Sequence, residues 1–206
     1  MSIRDSRRRA MPSLAACVVL AGALAIGATA AANAADAPEW TVDAKSSQIK
    51  FTGRQMNVPS DGVFRRWTAT IRFDPKNLAG SSVDVTIETA SAHTGNKDMD
   101  ATLESEKFFE VKKFPKAKFV ASSFRAKGGN KYEAVAKLTI RDVTQEVVLP
   151  FTLDVADKGA EQVATVTGKV DVSRTKFGIG RGDWSDTKVI ADKVVIEIKV
   201  VASRKK

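Results

Sequence analysis

From Trp67 to Val200 the chain repeats one pattern, an apolar side chain at every second position with polar or charged ones between, and a period of two is the mark of half-buried strands. Trp67, Ala69, Ile71 and Phe73 share one face, while Thr68, Thr70, Arg72 and Asp74 share the other. The same alternation recurs in Val83, Val85, Ile87, in Tyr132, Ala134, Ala136, Leu138, Ile140, and in Val147, Leu149, Phe151, Leu153, Val155. It recurs again in Ala164, Val166, Gly168, Val170, Val172 and in Val194, Ile196, Ile198, Val200. Two further segments, Gln48 to Gly53 and Lys116 to Phe124, bring the count to about eight. Turn residues at Asp74-Pro75-Lys76-Asn77, Gly128-Gly129-Asn130 and Asp157-Lys158-Gly159 separate them. One dry and one wet face per strand predicts an antiparallel sheet. Eight such strands close economically into a barrel and leave no edge, although a two-sheet sandwich satisfies the same alternation.

One stretch departs from the pattern. Between Asn96 and Val111, Leu103 and Phe108 with charged residues between them predict a short amphipathic helix, with Asp98 or Asp100 placed to cap its start. Its mid-chain position predicts a lid across one end of the barrel. With no internal repeat and no linker, the strands and helix make one domain.

Composition removes several kinds of chemistry. The chain has one histidine, His93, and one cysteine, Cys17, so it cannot build a His/Cys zinc cage, a Cys-His dyad or a disulfide framework. Asp98 and Asp100 lack the further oxygen ligands and the glycine of a calcium loop. Hydrophobic residues at 43% and charged ones at 28% describe a globular protein.

Residues 1–34 read as an export signal, leaving 35–206 as the folded domain. Arg4, Arg7, Arg8 and Arg9 form a positive start, Leu14 to about Ala32 is small and apolar, and Ala32-Asn33-Ala34 is a cleavage site. General secretion is the default route. Ser6 to Met11 partly resembles a twin-arginine signal but has alanine where that motif has phenylalanine. Leu14-Ala15-Ala16-Cys17 has the letters of a lipoprotein box, yet it precedes the apolar run that such a box should follow. Cleavage after Ala34 removes Cys17 and places a cysteine-free protein in the periplasm.

From Trp40 to about Val201 the chain resembles the YceI-like family of lipocalin-like, polyisoprenoid-binding periplasmic proteins. Trp40-Thr41-Val42-Asp43 with Ser47-Gln48-Ile49-Lys50-Phe51, and Gly62-Val63-Phe64 before Ile71-Arg72-Phe73-Asp74-Pro75, match its opening strands. The most diagnostic part is Thr94, Asn96, Asp98, Leu103, Ser105, Phe108-Phe109 and Phe114-Pro115 before Phe119. Leu138-Thr139-Ile140 with Thr144 ahead of Val147 and Val148, and Phe177-Gly178-Ile179, complete it. Arg141-Asp142 stands in a turn where many members have glycine. Gly180-Arg181-Gly182-Asp183-Trp184 resembles the subgroup found beside or fused to b561-type membrane cytochromes.

The resemblance implies an all-β, eight-stranded antiparallel lipocalin-like barrel around a long isoprenoid, a quinone or polyprenyl derivative, with no cofactor and no catalysis. Burial is worth about 0.8 kcal/mol per methylene, so each five-carbon unit contributes on the order of 4 kcal/mol before losses. The expected wall is Phe51, Trp67, Ile71, Phe73, Val85, Ile87, Leu138, Leu149 and Phe151, with Phe108 and Phe177 from the family pattern; the same residues would also fill a solid core. Two other functions are weighed: an accessory subunit of a membrane b-type cytochrome, and a lipid-acting enzyme using His93. With 33 basic against 24 acidic residues the chain carries +9. Lys107, Lys112, Lys113, Lys116 and Lys118 either face an anionic membrane surface or lipid pyrophosphate or are simply solvated. Aromatics are not interleaved with that basic run, so no nucleic acid is expected; the state expected is a monomer or homodimer.

Overall fold

The computed structural model describes residues 36–206; the stretch read as a leader, the expected cleavage site and Cys17 lie outside them. The described strands are β1 (Glu39–Val42), β2 (Gln48–Gln55), β3 (Val58–Phe64), β4 (Trp67–Arg72), β5 (Ser82–Glu88), β6 (Ala92–His93), β7 (Lys116–Ala126), β8 (Lys131–Ile140), β9 (Val143–Lys158), β10 (Glu161–Ser173) and β11 (Lys193–Lys205). Among the described residues one α-helix, α1, spans Lys97–Glu104. Eight strands form an antiparallel ring in the order β1-β4-β5-β7-β8-β9-β10-β11. The ring is sealed where Thr41 and Val42 meet Ser203 and Ala202. That closure decides for a barrel against a sandwich.

Membership of the ring differs from the sequence count in one place. β1 takes the C-terminal end of β11, while β2 pairs beside it with Val195–Lys199 of the same strand. β2 then leaves the ring as a leaf with β3 and β6. β11 is 13 residues long, so two short strands can share its edge once the turn after Val42, held by Asp43 accepting from the Lys45 N–H at 3.0 Å, redirects the chain.

The inward parity of the strands follows the alternation, with two exceptions. In β7 the register shifts between Ala121 and Ser123. This bulge inserts one residue and flips the faces, so Phe119 and Phe124, five positions apart, both line the interior. Val155, expected inward, is 44% exposed, because the apolar run of β9 continues past the end of the packed interior.

The end of the barrel near β1 is closed by aromatic packing. Phe73 meets the edges of Phe124, Tyr132 and Phe151 at centroid distances of 5.3, 5.5 and 5.9 Å. Trp40 joins this buried cluster, its indole N–H donating to the Phe73 carbonyl at 2.9 Å. The other end is looser. Pairing of β10 with β9 stops at Gly168 and Phe151, next to Pro150, which has no N–H to extend a ladder. A Cβ at Gly168 would come 3.0 Å from the Pro150 carbonyl, so the close crossing of the strands there requires glycine. Beyond that point Phe108, Phe177 and Ile179, from two loops, pack in one cluster with Val143, Val147, Val170 and Val172 of the parted strands.

The helix corrects two expectations. Its cap is Asn96, whose carbonyl oxygen accepts from the N–H groups of Asp98 and Met99 at 2.9 and 3.2 Å; Asp98 and Asp100 lie in the first turn, where carboxylates favour the helix dipole. It also ends at Glu104, so Phe108 belongs to the loop that follows. Leu103, still on the helix, keeps the apolar contact with the Phe108 cluster.

Candidate functional site

The barrel interior is not filled. An inner chamber of about 150 Å³ is lined only by apolar residues, among them Trp67, Ile71, Val85, Ile87, Leu138 and Leu149, with Phe73 and Phe151 as its floor. An outer chamber of about 370 Å³ lies towards α1 and is walled by Phe51, Phe64, Phe108, Phe109, Phe177 and Trp184. Ile196 of β11 lines both. The eleven residues expected in the wall thus divide: eight face the inner chamber, while Phe51, Phe108 and Phe177 face the outer one. Phe108, Leu138 and Phe177 are also buried members of the packed cluster between them.

The polar groups of the outer chamber gather in its rim. Arg54, Gln55, Ser60, Thr94, Asn96, Asp98 and Thr102 contribute to its lining. Thr94 and Asn96 stood in the family pattern, but nothing in their spacing marked them as a rim. Only the docking of α1 beside β3, where the Ser60 hydroxyl lies 3.0 Å from the Met99 sulfur, brings them to the chamber.

Two buried arginines build the far wall. Arg174 donates to the carbonyls of Ile179 (2.8 Å), Ile190 (2.8 Å) and Ala191 (3.1 Å). It thereby folds the 178–191 loop over the barrel mouth and turns Trp184 edge-on to Phe108 at 5.5 Å. Burial pulls the Arg174 guanidinium below its usual value, opposed by Asp192. Gly180 sits at φ +75, where a Cβ would fall 2.1 Å from the Arg174 Nη1. The Gly180–Trp184 loop is therefore part of the chamber wall.

Arg141 performs the same task for the 105–115 loop. Its guanidinium donates to the carbonyls of Glu106 and Phe108 and to the Glu110 carboxylate, and it lies 5.3 Å from the centre of the Phe114 ring. The turn that departs from glycine in the family pattern is consequently more than a local detail. Arg141 occupies the left-handed region, φ +58, yet its side chain is only 1% exposed and anchors the loop that carries Phe108. Of the five clustered lysines, Lys107, Lys112 and Lys113 sit on this loop, and Lys116 and Lys118 lie on β7.

His93 lines neither chamber. Its Nδ1 lies 2.8 Å from Asp100, whose other oxygen accepts from the Thr94 N–H and hydroxyl, both at 2.7 Å. The Thr94 hydroxyl, then its N–H and His93, hold the Asp100 carboxyl below the usual carboxylate range. Because the folded value lies under the unfolded one of about 3.9, this tie between α1 and β6 stabilises the fold above that pH and is lost as pH falls through the lowered value. Urea unfolding of Asp100→Asn beside the wild type should therefore show a stability gap that is full at pH 7 and shrinks towards pH 3. A gap independent of pH would refute the assignment.

Known proteins share this architecture. The sequence model of the YceI-like domain matches residues 40–202. A UPF0312 protein of Pseudomonas savastanoi pv. phaseolicola is 30% identical over 173 residues, 80% of this chain and 90% of that protein. The crystal structure of BcnA from Burkholderia cenocepacia is similar with a TM-score of 0.72 and 37% identity, covering 78% of this chain and 99% of that one. A polyisoprenoid binding domain from Saccharophagus degradans has the same fold at a TM-score of 0.62 and 15% identity, over 79% of this chain and 97% of that one. With the family model spanning the whole ring of strands and both loops that wall the chambers, the chain belongs to the YceI-like family.

Proposed function

We propose that this protein binds and carries, or sequesters, an isoprenoid lipid inside the barrel, a quinone or polyprenyl derivative, without catalysis, after export to the periplasm and cleavage near Ala34. The observation that carries the reading is the pair of chambers that share Ile196 in their linings, the inner one without a polar lining residue. An apolar cavity of about 150 Å³ stays dry and takes a benzene-sized guest, which suits the end of a prenyl tail. The wider chamber suits the next units, and the polar rim suits a headgroup. The Saccharophagus domain, described as polyisoprenoid binding, supports the reading through its shared fold.

The test is mass spectrometry of the organic extract from protein expressed as the full chain and purified from the periplasm, together with its intact mass. The expected result is a stoichiometric prenyl species and a chain beginning at Ala35. A folded protein that yields an empty extract and takes up no added prenyl lipid overturns the carrier reading.

A further inference from the structure

The rim of the outer chamber bears an apolar tip that holding a cargo does not require. Met56 and Val58 are 69% and 66% exposed, the most exposed large apolar side chains among the described residues. Met56 is the first residue of the two-residue turn of the β2–β3 hairpin and Val58 the first after it, the turn being closed by the pair Gln55 and Val58. Val189, 37% exposed, joins them through its carbonyl, which accepts the Met56 N–H at 2.7 Å.

The turn is built against local preference. Met56 and Asn57 both have positive φ, +48 and +65, the geometry that favours asparagine, aspartate and glycine. Asn57 fits; Met56 does not, and a strained residue at a rim points to use of its side chain. Arg54, Gln55, Ser60 and Ile190, immediately beside the tip, line the outer chamber. Arg54 and Lys188 are the charged residues of the segments 54–58 and 188–190, with Asp186 turned back onto its own loop, where its carboxylate accepts the Lys188 N–H at 2.8 Å. The Arg54 Nη1 donates to the Asn57 carbonyl at 3.0 Å, which holds its charge at the turn.

We propose that this tip docks on the anionic surface of a phospholipid bilayer, with Met56, Val58 and Val189 entering the interface and Arg54 and Lys188 against the phosphates. The chamber mouth then opens onto lipid. The purpose of such docking, though not the geometry behind it, rests on the carrier reading: each isoprene unit exposed to water lowers the population in transit by about a thousandfold, so a direct passage from bilayer to barrel is favoured. Apolar insertion combined with basic residues is the usual physics of reversible membrane attachment.

The test is flotation of the purified protein, expressed as the full chain, with vesicles of 30% phosphatidylglycerol in phosphatidylethanolamine. The wild type should float, and raising salt should weaken it. M56S/V58S should partition about tenfold more weakly and K188E about fivefold more weakly, while V120S, an exposed valine on β7 across the ring, should match the wild type. Both tip side chains are exposed, so the double variant should melt as the wild type does; should it not, K188E decides alone. Failure of the wild type to float, or flotation of the tip variants at the wild-type level, overturns the docking proposal. Prenyl lipid in the extract of a protein that does not float would sink docking and leave the carrier reading. Tip-dependent flotation with an empty extract would do the reverse.

Discussion

Replacing Arg141 by alanine is expected to lower the unfolding free energy by about 2–3 kcal/mol, because it leaves the Glu106 and Phe108 carbonyls without their donor and the partly buried Glu110 carboxylate without its partner. Replacement by glycine is expected to do less damage. Ordinarily glycine is the worse choice, since it adds entropy to the unfolded chain. Here the order reverses, because Arg141 sits at φ +58, where any side chain pays of order 1–3 kcal/mol in strain that glycine does not. Alanine would keep the strain and lose the contacts; glycine would lose both. Urea unfolding of the three proteins measures the order directly, and an alanine variant more stable than the glycine one would show that the backbone strain is not as described. Both variants should also free the 105–115 loop and with it Phe108, so that trypsin cleaves at Lys107, Lys112 or Lys113 faster than in the wild type.

The second large effect concerns the residue that the two chambers share. Ile196 is the residue common to both linings, opposite Phe51 on one side and Val170 on the other. Tryptophan at this position is expected to block a prenyl chain from spanning both chambers, at an overpacking cost of about 1–3 kcal/mol, which a fold of this size withstands. The inner chamber has room for about one isoprene unit, so losing it should weaken a long prenyl ligand by on the order of 4 kcal/mol, about a thousandfold. A two-unit prenyl alcohol that fits the outer chamber should bind I196W nearly as well as it binds the wild type. Titration with a series of chain lengths, followed by quenching of tryptophan fluorescence, separates the cases. Equal loss at every length, or none at any, would mean that the two chambers are not consecutive segments of one site.

Each of these residues was visible in the sequence to a different degree. Ile196 was identifiable as inward from its place in Val194, Ile196, Ile198, Val200, but its place in the linings of both chambers was not, since that depends on what faces it from β2 and β10. Phe108 was identifiable as apolar, and its neighbourhood to Leu103 predicts a helix that reaches it; the chain instead leaves the helix at Ser105, whose N–H and hydroxyl both close on the Thr102 carbonyl, and Arg141, 33 residues further on, takes the Phe108 carbonyl. Asn96 and the two aspartates compete for the cap in the sequence, all three being good capping residues, and only the hydrogen bonds from Asp98 and Met99 decide for Asn96. Nothing in the sequence marks Met56, because an apolar residue in a turn reads as a break between strands when no partner surface is in view.

Apart from β1, β3 and β6, the sequence by itself determined the strands, the face each turns inward as far as the β7 bulge, and the family. The reason is that a period of two is imposed by the backbone of a single strand and needs no neighbour to express it. Tertiary structure alone decided the closure of β1 on β11, the exit of β2 from the ring, the exchange of faces at the β7 bulge and the division of the interior into two chambers. These depend on which groups meet across long separations in the chain: a register between strands, a guanidinium that reaches three loop acceptors, a proline beside the point where two strands part. Local alternation carries no record of such meetings. The lining could be written down from single strands, but the cavity exists only where the strands, and the two loops held by Arg141 and Arg174, stop short of filling it.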